Sequence, residues 1–319
     1  MINIVFMGTP EIAVNTLCEL SNNFEDINVT AVITQPDKPQ GRKMVITPPP
    51  VKVAAIEINS AKGFDIQIFQ TKSIRKDENL INKLRDLKPD FFITFAFGQI
   101  LSQEVLDIPK YGTINVHASL LPKYRGANPI QHAIINGDKK TGITTMLTSL
   151  GMDEGDMCLK EEIEITENIT DTELREVISQ KAPKILYETI KKLYNKNLVP
   201  IKQNPDEATY AGKFTKEDGK IDFSDTAQNI HNKVRGLYSW PTCFLEYNGK
   251  KVKIFSTEIS NIGESYEAGI INNITKSGIS IGTKDGCIIL KEVQPESKNK
   301  MPIVAWNNSI HLKIGDKIC

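Results

Sequence analysis

What this 319-residue sequence lacks narrows its function before any motif is read. It lacks an excess of either charge: 39 Lys+Arg stand against 39 Asp+Glu, the formal net charge is +0, and neither side of Pro205 departs from balance by more than one charge. A general nucleic-acid binder carries a basic surplus, so any nucleic-acid partner has to be met by a local patch. Cysteine is scarce: Cys18, Cys158, Cys243, Cys287 and Cys319 include no CxxC pair, and the four histidines do not cluster with them. That argues against a disulfide framework or a zinc site, and no metal is expected. There is no run of about 18 apolar residues, so no membrane span is expected. The chain opens on Ile2-Asn3-Ile4-Val5-Phe6, a strand rather than the basic start and apolar stretch of a signal peptide, and a cytoplasmic location is expected. GxGxxG and P-loop patterns are missing too. Gly8-Thr9-Pro10 after the first strand is no dinucleotide fingerprint, because Pro10 removes an amide that a phosphate would use. Gly8 reads either as a tight turn before an ordinary helix start or as backbone that a ligand approaches closely.

What the sequence does hold is an alternation of short apolar runs and helical patterns. Ile2–Met7 and Val29–Ile33 read as strands, Val51–Ile58 as helix, Ile66–Phe69 as extended and Asp77–Leu87 as helix. Phe91–Phe95 is apolar throughout, as a strand covered on both faces should be, and Thr113–His117 follows as another. Thr9-Pro10 and Asn128-Pro129 each offer an N-cap followed by a first-turn proline. Together these predict an α/β domain over 1–198, a doubly wound and mostly parallel sheet with helices on both faces. Thr170-Asp171-Thr172-Glu173 is a capping box for a helix running to about Asn195. Polar, proline-bearing residues 199–208 read as a linker. Beyond it, over 209–319, one helix at about Asp225–Leu237 precedes five or so short strands, with Asn248-Gly249 as a two-residue hairpin turn. That texture predicts a small closed β-barrel of OB-like type.

Chemistry concentrates in Ile114-Asn115-Val116-His117-Ala118-Ser119-Leu120-Leu121-Pro122-Lys123-Tyr124-Arg125-Gly126-Ala127. Residues two apart in a strand face the same way, so Asn115 and His117 project together near the carboxyl end of a sheet strand, where open α/β sheets bind ligands. An amide beside an imidazole suits acyl transfer, the amide donating to a developing oxyanion and the imidazole moving a proton or donating as well. The plain alternative is that both side chains satisfy loop backbone. The apolar loop Leu120-Leu121-Pro122 beside them would wall a flat ligand. Gly151-Met152-Asp153-Glu154-Gly155-Asp156-Met157 is flexible enough to bend over a strand end and bring an Asp to orient His117; otherwise it is a solvated acidic turn. The long basic and proline-rich loop around Arg42 and Lys43 would meet phosphates, or is plain surface. His132, His231 and His311 read as structural.

These residues carry a resemblance. Asn-x-His-x-Ser-Leu-Leu-Pro-x-x-Arg-Gly-Ala at 115–127, then Asp-x-Gly-Asp-Met at 153–157, is similar to the signature of formyltetrahydrofolate-dependent formyltransferases. Gly8-Thr9-Pro10, Gln35-Pro36-Asp37, Ala96–Leu101, Tyr210-Ala211, Val234-Arg235-Gly236 and Trp240-Pro241 fall in the family's order, so the resemblance spans essentially the whole chain. It implies a Rossmann-like formyltransferase domain, with Asn115, His117 and Asp153 as catalytic trio and Ser119, Leu120, Leu121 and Pro122 lining the folate site. It implies that Phe95–Leu101 faces the pterin, and that Arg42 and Lys43 lie on the nucleic acid. The co-substrate implied is 10-formyltetrahydrofolate; the acceptor implied is methionine on initiator tRNA, held in part by the second domain, with the protein a monomer. Departures are Phe97 for the usual Tyr, Ser102 for Pro, the less basic Lys43-Met44-Val45, Ser239 before the Trp, and Thr242 for Gly. Relatives with a sugar amine, glycinamide ribonucleotide or water as acceptor share the early motifs, and a non-catalytic RNA-binding protein using its barrel alone is the rival from another class.

Overall fold

The computed structural model describes residues 1–41, 43–260 and 264–318. The chain forms two compact units that interleave along the sequence. The first holds Met1–Gly126, Thr141–Ile163 and Arg175–Tyr210; the second holds Ala127–Lys140, Glu164–Leu174 and Ala211–Cys319.

The first unit is built on a seven-stranded sheet. In spatial order its strands are Met157–Glu164, Lys140–Leu147, Thr113–His117, Phe91–Phe95, Ile2–Gly8, Ile27–Thr34 and Gln67–Gln70. The five from Gln67–Gln70 to Thr113–His117 run parallel, and Lys140–Leu147 pairs antiparallel to Thr113–His117. The predicted mostly parallel sheet is thus observed. Strand order turns around at Ile2–Gly8, from which one crossover leads to Ile27–Thr34 and the other way lies Phe91–Phe95; carboxyl ends at such a switch are where open sheets take ligands. All five residues of Phe91–Phe95 are buried, as its apolar run requires. Phe6, Phe91, Phe92 and Phe95 are among the largest fully enclosed side chains.

Several local expectations resolve in detail. Gly8 pairs with Phe95, and a Cβ there would stand 3.0 Å from the Phe95 carbonyl and 2.9 Å from the Phe6 ring, so close strand packing is what demands glycine. Thr9 does not cap the next helix. Its hydroxyl accepts from the Gln35 amide at 3.3 Å, the chain passes through a short 3-10 turn at Glu11–Ala13, and the helix proper is Val14–Asn22. The loop after the second strand contains two short strands, Lys38–Gln40 and Val45–Thr47, paired antiparallel. Residues 199–208, which read as linker, pack within the first unit: Ile201 exchanges two 2.8 Å backbone hydrogen bonds with Met157, and Gln203 is 9% exposed.

The second unit carries antiparallel strands Cys243–Tyr247, Lys250–Ser260, Cys287–Pro295, Gly278–Gly282 and Ile271–Thr275 in that spatial order, with Met301–Pro302 beside Cys287–Pro295. Asn248 and Gly249 take φ of 50° and 72°, the left-handed pair that a two-residue hairpin needs. The pairing recorded among the described residues is an open strand path, and the expected closure into an OB-like barrel is not part of it. Helices Ala227–Gly236 and Ile303–Ile310 contribute Ile230, Val234, Ile303 and Trp306 to a core shared with Leu245, Ile254 and Leu290. The capping box forms as predicted: Thr170 N–H donates to Glu173 Oε2 at 2.8 Å, and Glu173 N–H to Thr170 Oγ1 at 3.3 Å.

Phe92 is fully enclosed in the first unit's core. Phe92→Ala is expected to cost about 3–5 kcal/mol of stability, read as a lower urea midpoint for the first unit's unfolding.

Candidate active site

Strand Thr113–His117 lies between a parallel and an antiparallel neighbour, and its alternation places Asn115 and His117 on one side. Thr94 stands opposite Asn115 and Thr144 opposite His117 in the registers of those neighbours. The Thr94 hydroxyl donates to Asn115 Oδ1 at 2.8 Å, which fixes the amide's orientation and turns its nitrogen away from the sheet partner. Among the described residues Asn115 Nδ2 has no hydrogen-bond partner, so two N–H donors are available at the strand's carboxyl end.

His117 is 5% exposed. Its Nε2 lies 2.9 Å from the Tyr124 carbonyl oxygen, which can only accept, so Nε2 carries the proton. Nδ1 then faces Asp153 Oδ2 at 3.6 Å, beyond a direct hydrogen bond but within ion-pair range once Nδ1 is protonated. The same carboxylate oxygen accepts from Gly126 N–H at 2.8 Å. The structure therefore brings together the three residues singled out in the sequence, Asn115 and His117 on one strand and Asp153 against the imidazole. Asp153 has φ of 51°, a left-handed conformation that Asp tolerates better than most residues and that costs on the order of 1–2 kcal/mol.

The turn that presents Asp153 is closed at its base. Leu147 N–H donates to Asp156 O at 2.9 Å, and a Cβ on Gly155 would fall 1.8 Å from the Leu147 carbonyl. Clefts of about 470 Å³ and 560 Å³ run along the turn's flanks, both bordered by Leu147–Ser149 and Glu154. Leu150 and Met152 on the turn are exposed.

The other predicted residues divide. Ser119 is wholly buried, with its hydroxyl donating to Lys123 O at 2.6 Å. Leu121 and Pro122 are buried, joined by a cis peptide bond; the Leu121 carbonyl accepts from Lys160 Nζ at 2.5 Å, and Leu121 N–H donates to Thr144 Oγ1 at 3.1 Å. Of the four, Leu120 alone keeps a partly exposed side chain. In the 95–101 segment Phe95, Phe97 and Leu101 turn into the core, leaving Ile100 exposed, with Ala96 and Gly98 at φ of 48° and 73°. Gln35 Nε2 donates to the Phe97 carbonyl at 3.2 Å, and Gln99 binds Ile74 N–H and the Thr71 carbonyl, each at 2.8 Å. Lys43 is exposed beside Met44, Val45 and Ile46, while Arg42 lies outside the described residues.

Two residues at the site carried no expectation. Gln203 Oε1 accepts from Arg125 Nε at 2.9 Å, and its Nε2 donates to Asp153 O at 2.7 Å and Gly155 O at 2.8 Å. Arg125 sits inside the long motif, a usable signal; Gln203 sits in a polar stretch that marks none of its residues. Away from the site, His231 is buried between Thr257 Oγ1 and the Glu167 carbonyl, and burial lowers its pKa. His132 stacks on Phe214. Among the described residues no group of three or more His, Cys, Asp or Glu is placed to hold a metal.

Comparison with known proteins matches residues 2–190 to the model described as formyl transferase, and residues 213–311 to that described as formyl transferase, C-terminal domain. The protein named methionyl-tRNA formyltransferase from Clostridium acetobutylicum is 43% identical over 303 residues, covering 95% of each chain; that from Clostridium beijerinckii is 44% identical over 306 residues, covering 96% of each. An N-formyltransferase from Helicobacter canadensis, solved with folinic acid and dTDP-3-aminofucose, superposes with a TM-score of 0.66 at 22% identity over 92% of this chain and 100% of its own.

Cys158 is the thiol on the strand that follows the Asp153 turn, and burial pushes it up to about 12; burial does the same to Cys243. Neither is a thiolate near neutral pH, which removes them as nucleophiles. Iodoacetamide at pH 8 is expected to leave both unlabelled in the folded protein and to label both in urea, as read by peptide mass spectrometry.

Proposed function

The chain belongs to the formyl transferase family and, within it, to the methionyl-tRNA formyltransferases, and from that premise we propose that it transfers the formyl group of 10-formyltetrahydrofolate to the α-amino group of methionine on initiator tRNA. The observation that carries the reading is the trio at the strand end: an amide with unused donors, and an imidazole hydrogen-bonded through Nε2 to a backbone carbonyl with a carboxylate 3.6 Å from Nδ1. The methionine α-amine attacks the formyl carbon of the folate co-substrate, forming the new C–N bond; the bond from that carbon to the folate nitrogen then breaks, and that nitrogen takes up a proton as tetrahydrofolate leaves. Asn115 donates from Nδ2 to the formyl oxygen as it gains charge, an interaction worth roughly 10²–10³ in rate. Since Nε2 of His117 is engaged by Tyr124, Nδ1 is the nitrogen left to take the amine's proton, and the Asp153 carboxylate beside it offsets the charge which that proton brings. Thr94 keeps the amide turned the right way.

The same proposal places the folate against the 119–122 loop, reached through Leu120 and backbone rather than through the buried Ser119, Leu121 and Pro122. Lys43, which follows the strand Lys38–Gln40, lies on the acceptor stem, and Arg42 is assigned there by the family resemblance alone. Residues 1–198 serve as the catalytic domain and 209–319 as the part that holds the tRNA. The protein works as a monomer in a reducing cytoplasm; Cys18, Cys158, Cys243 and Cys287 are free thiols, which supports the compartment.

Incubated with radiolabelled 10-formyltetrahydrofolate, the purified protein is expected to label Met-tRNA and not uncharged tRNA. Asn115→Ala and Asp153→Ala should lower kcat at least about tenfold with little change in Tm. Label appearing only as free formate, or only on an amino-sugar nucleotide, would reassign the acceptor; near-wild-type turnover in either variant would remove that residue from the chemistry.

A further inference from the structure

We infer that residues 201–209 form a strap holding both loops of the active site, and that Gln203 within it is a positioning residue which sets Asp153 against His117. The inference rests on the proposed transferase reading for its kinetic arm and on geometry alone for its structural arm.

The strap engages each loop separately. On the loop after the Asn115/His117 strand, Thr209 N–H donates to the Pro122 carbonyl at 3.3 Å, Arg125 N–H donates to the Thr209 carbonyl at 2.8 Å, and Tyr124 N–H donates to Thr209 Oγ1 at 2.9 Å. That fixes Tyr124, whose carbonyl receives the His117 Nε2 proton, and Gly126, whose N–H holds the Asp153 carboxylate. On the acidic turn, Ile201 exchanges two backbone hydrogen bonds with Met157, and Gln203 donates to the carbonyls of Asp153 and Gly155.

Gln203 suits this position for a chemical reason. Its amide offers two N–H donors on one side and a carbonyl on the other. Here the donors meet two carbonyl oxygens and the carbonyl meets the buried Arg125 guanidinium. Reversing the amide would set oxygen against two oxygens and N–H against a cation, so the orientation is determined by its partners. Both side chains are nearly enclosed, at 9% and 5% exposure, where leaving such groups unpaired costs about 1–3 kcal/mol each. The carbonyl of Asp153 held by Gln203 belongs to the residue in the left-handed conformation that aims the carboxylate at Nδ1. Releasing it lets the turn relax, and the carboxylate leaves both Gly126 and His117.

The test compares Gln203→Ala and Gln203→Glu with wild type. Glu keeps the volume and the Arg125 partner but replaces two donors by an oxygen facing two carbonyls. Both variants are expected to lose at least about tenfold in kcat, the scale of a catalytic group displaced by about an ångström, with KM for Met-tRNA and for the folate changed less than threefold. In an Asp153→Ala background, Gln203→Ala should cost little more, because both changes remove one arrangement; independent sites would add. Wild-type kcat in Gln203→Glu, or full additivity with Asp153→Ala, would overturn the inference while leaving the transferase reading in place. Absence of transfer by the wild-type protein would fail that reading instead, and the structural arm then decides. Hydrogen exchange at the Gly126 amide should be slow in wild type and faster in Gln203→Ala by more than the variant's loss of global stability accounts for. Unchanged protection there would refute the strap.

Discussion

The site depends on how His117 is placed, with Nε2 hydrogen-bonded to one loop and Nδ1 facing a carboxylate on another. A carbonyl can only accept, so the 2.9 Å approach of the Tyr124 oxygen puts the proton on Nε2 and leaves Nδ1 toward Asp153. Neither contact comes from the strand that bears the histidine. Tyr124 is on the loop that follows it, and Asp153 is on a turn after the next strand. The imidazole therefore acts as the meeting point of two loops, and its function requires both to be fixed. A 3.6 Å separation between Nδ1 and the carboxylate leaves room for closure when a proton arrives, which is the moment at which the carboxylate matters for an amine acceptor.

The sheet supplies the rest of the rigidity. Phe91–Phe95 is covered on both faces, and Thr94 near its end is in register with Asn115, so a core strand sets the orientation of the Asn115 amide. On the other side of Thr113–His117 the antiparallel partner places Thr144, whose hydroxyl donates to the Ser119 carbonyl at 2.7 Å and receives Leu121 N–H. Side chains that look like ligand contacts in the sequence, such as the Ser119 hydroxyl, are committed to shaping this loop.

Much of this was legible from residue order. The period-two spacing of Asn115 and His117 put them on one side of a strand, the uninterrupted apolar run at Phe91–Phe95 gave a buried strand, Thr170 with Glu173 gave a helix start, and Asn248-Gly249 gave a hairpin. Other readings did not survive contact with neighbours. Thr9 had the identity of an N-cap, but its hydroxyl was drawn to the Gln35 amide from an adjacent loop. The resemblance set Phe95–Leu101 toward the pterin; Phe97 and Leu101 belong to a buried core cluster, and an apolar side chain gives no sign in sequence of such burial.

The sequence by itself determined the class of fold and the strand on which Asn115 and His117 share a side, because alternation, apolar runs and caps are local properties of the chain. Tertiary structure alone decided which carboxylate reaches the histidine, that Gln203 locks the turn presenting it, and that a polar stretch with the look of a linker is hydrogen-bonded to the loops beside it. Those contacts join residues 27 to 78 positions apart. A hydrogen bond across such a separation exists only once the loops between its partners have been closed by the packing of the sheet, and no local pattern records that closure.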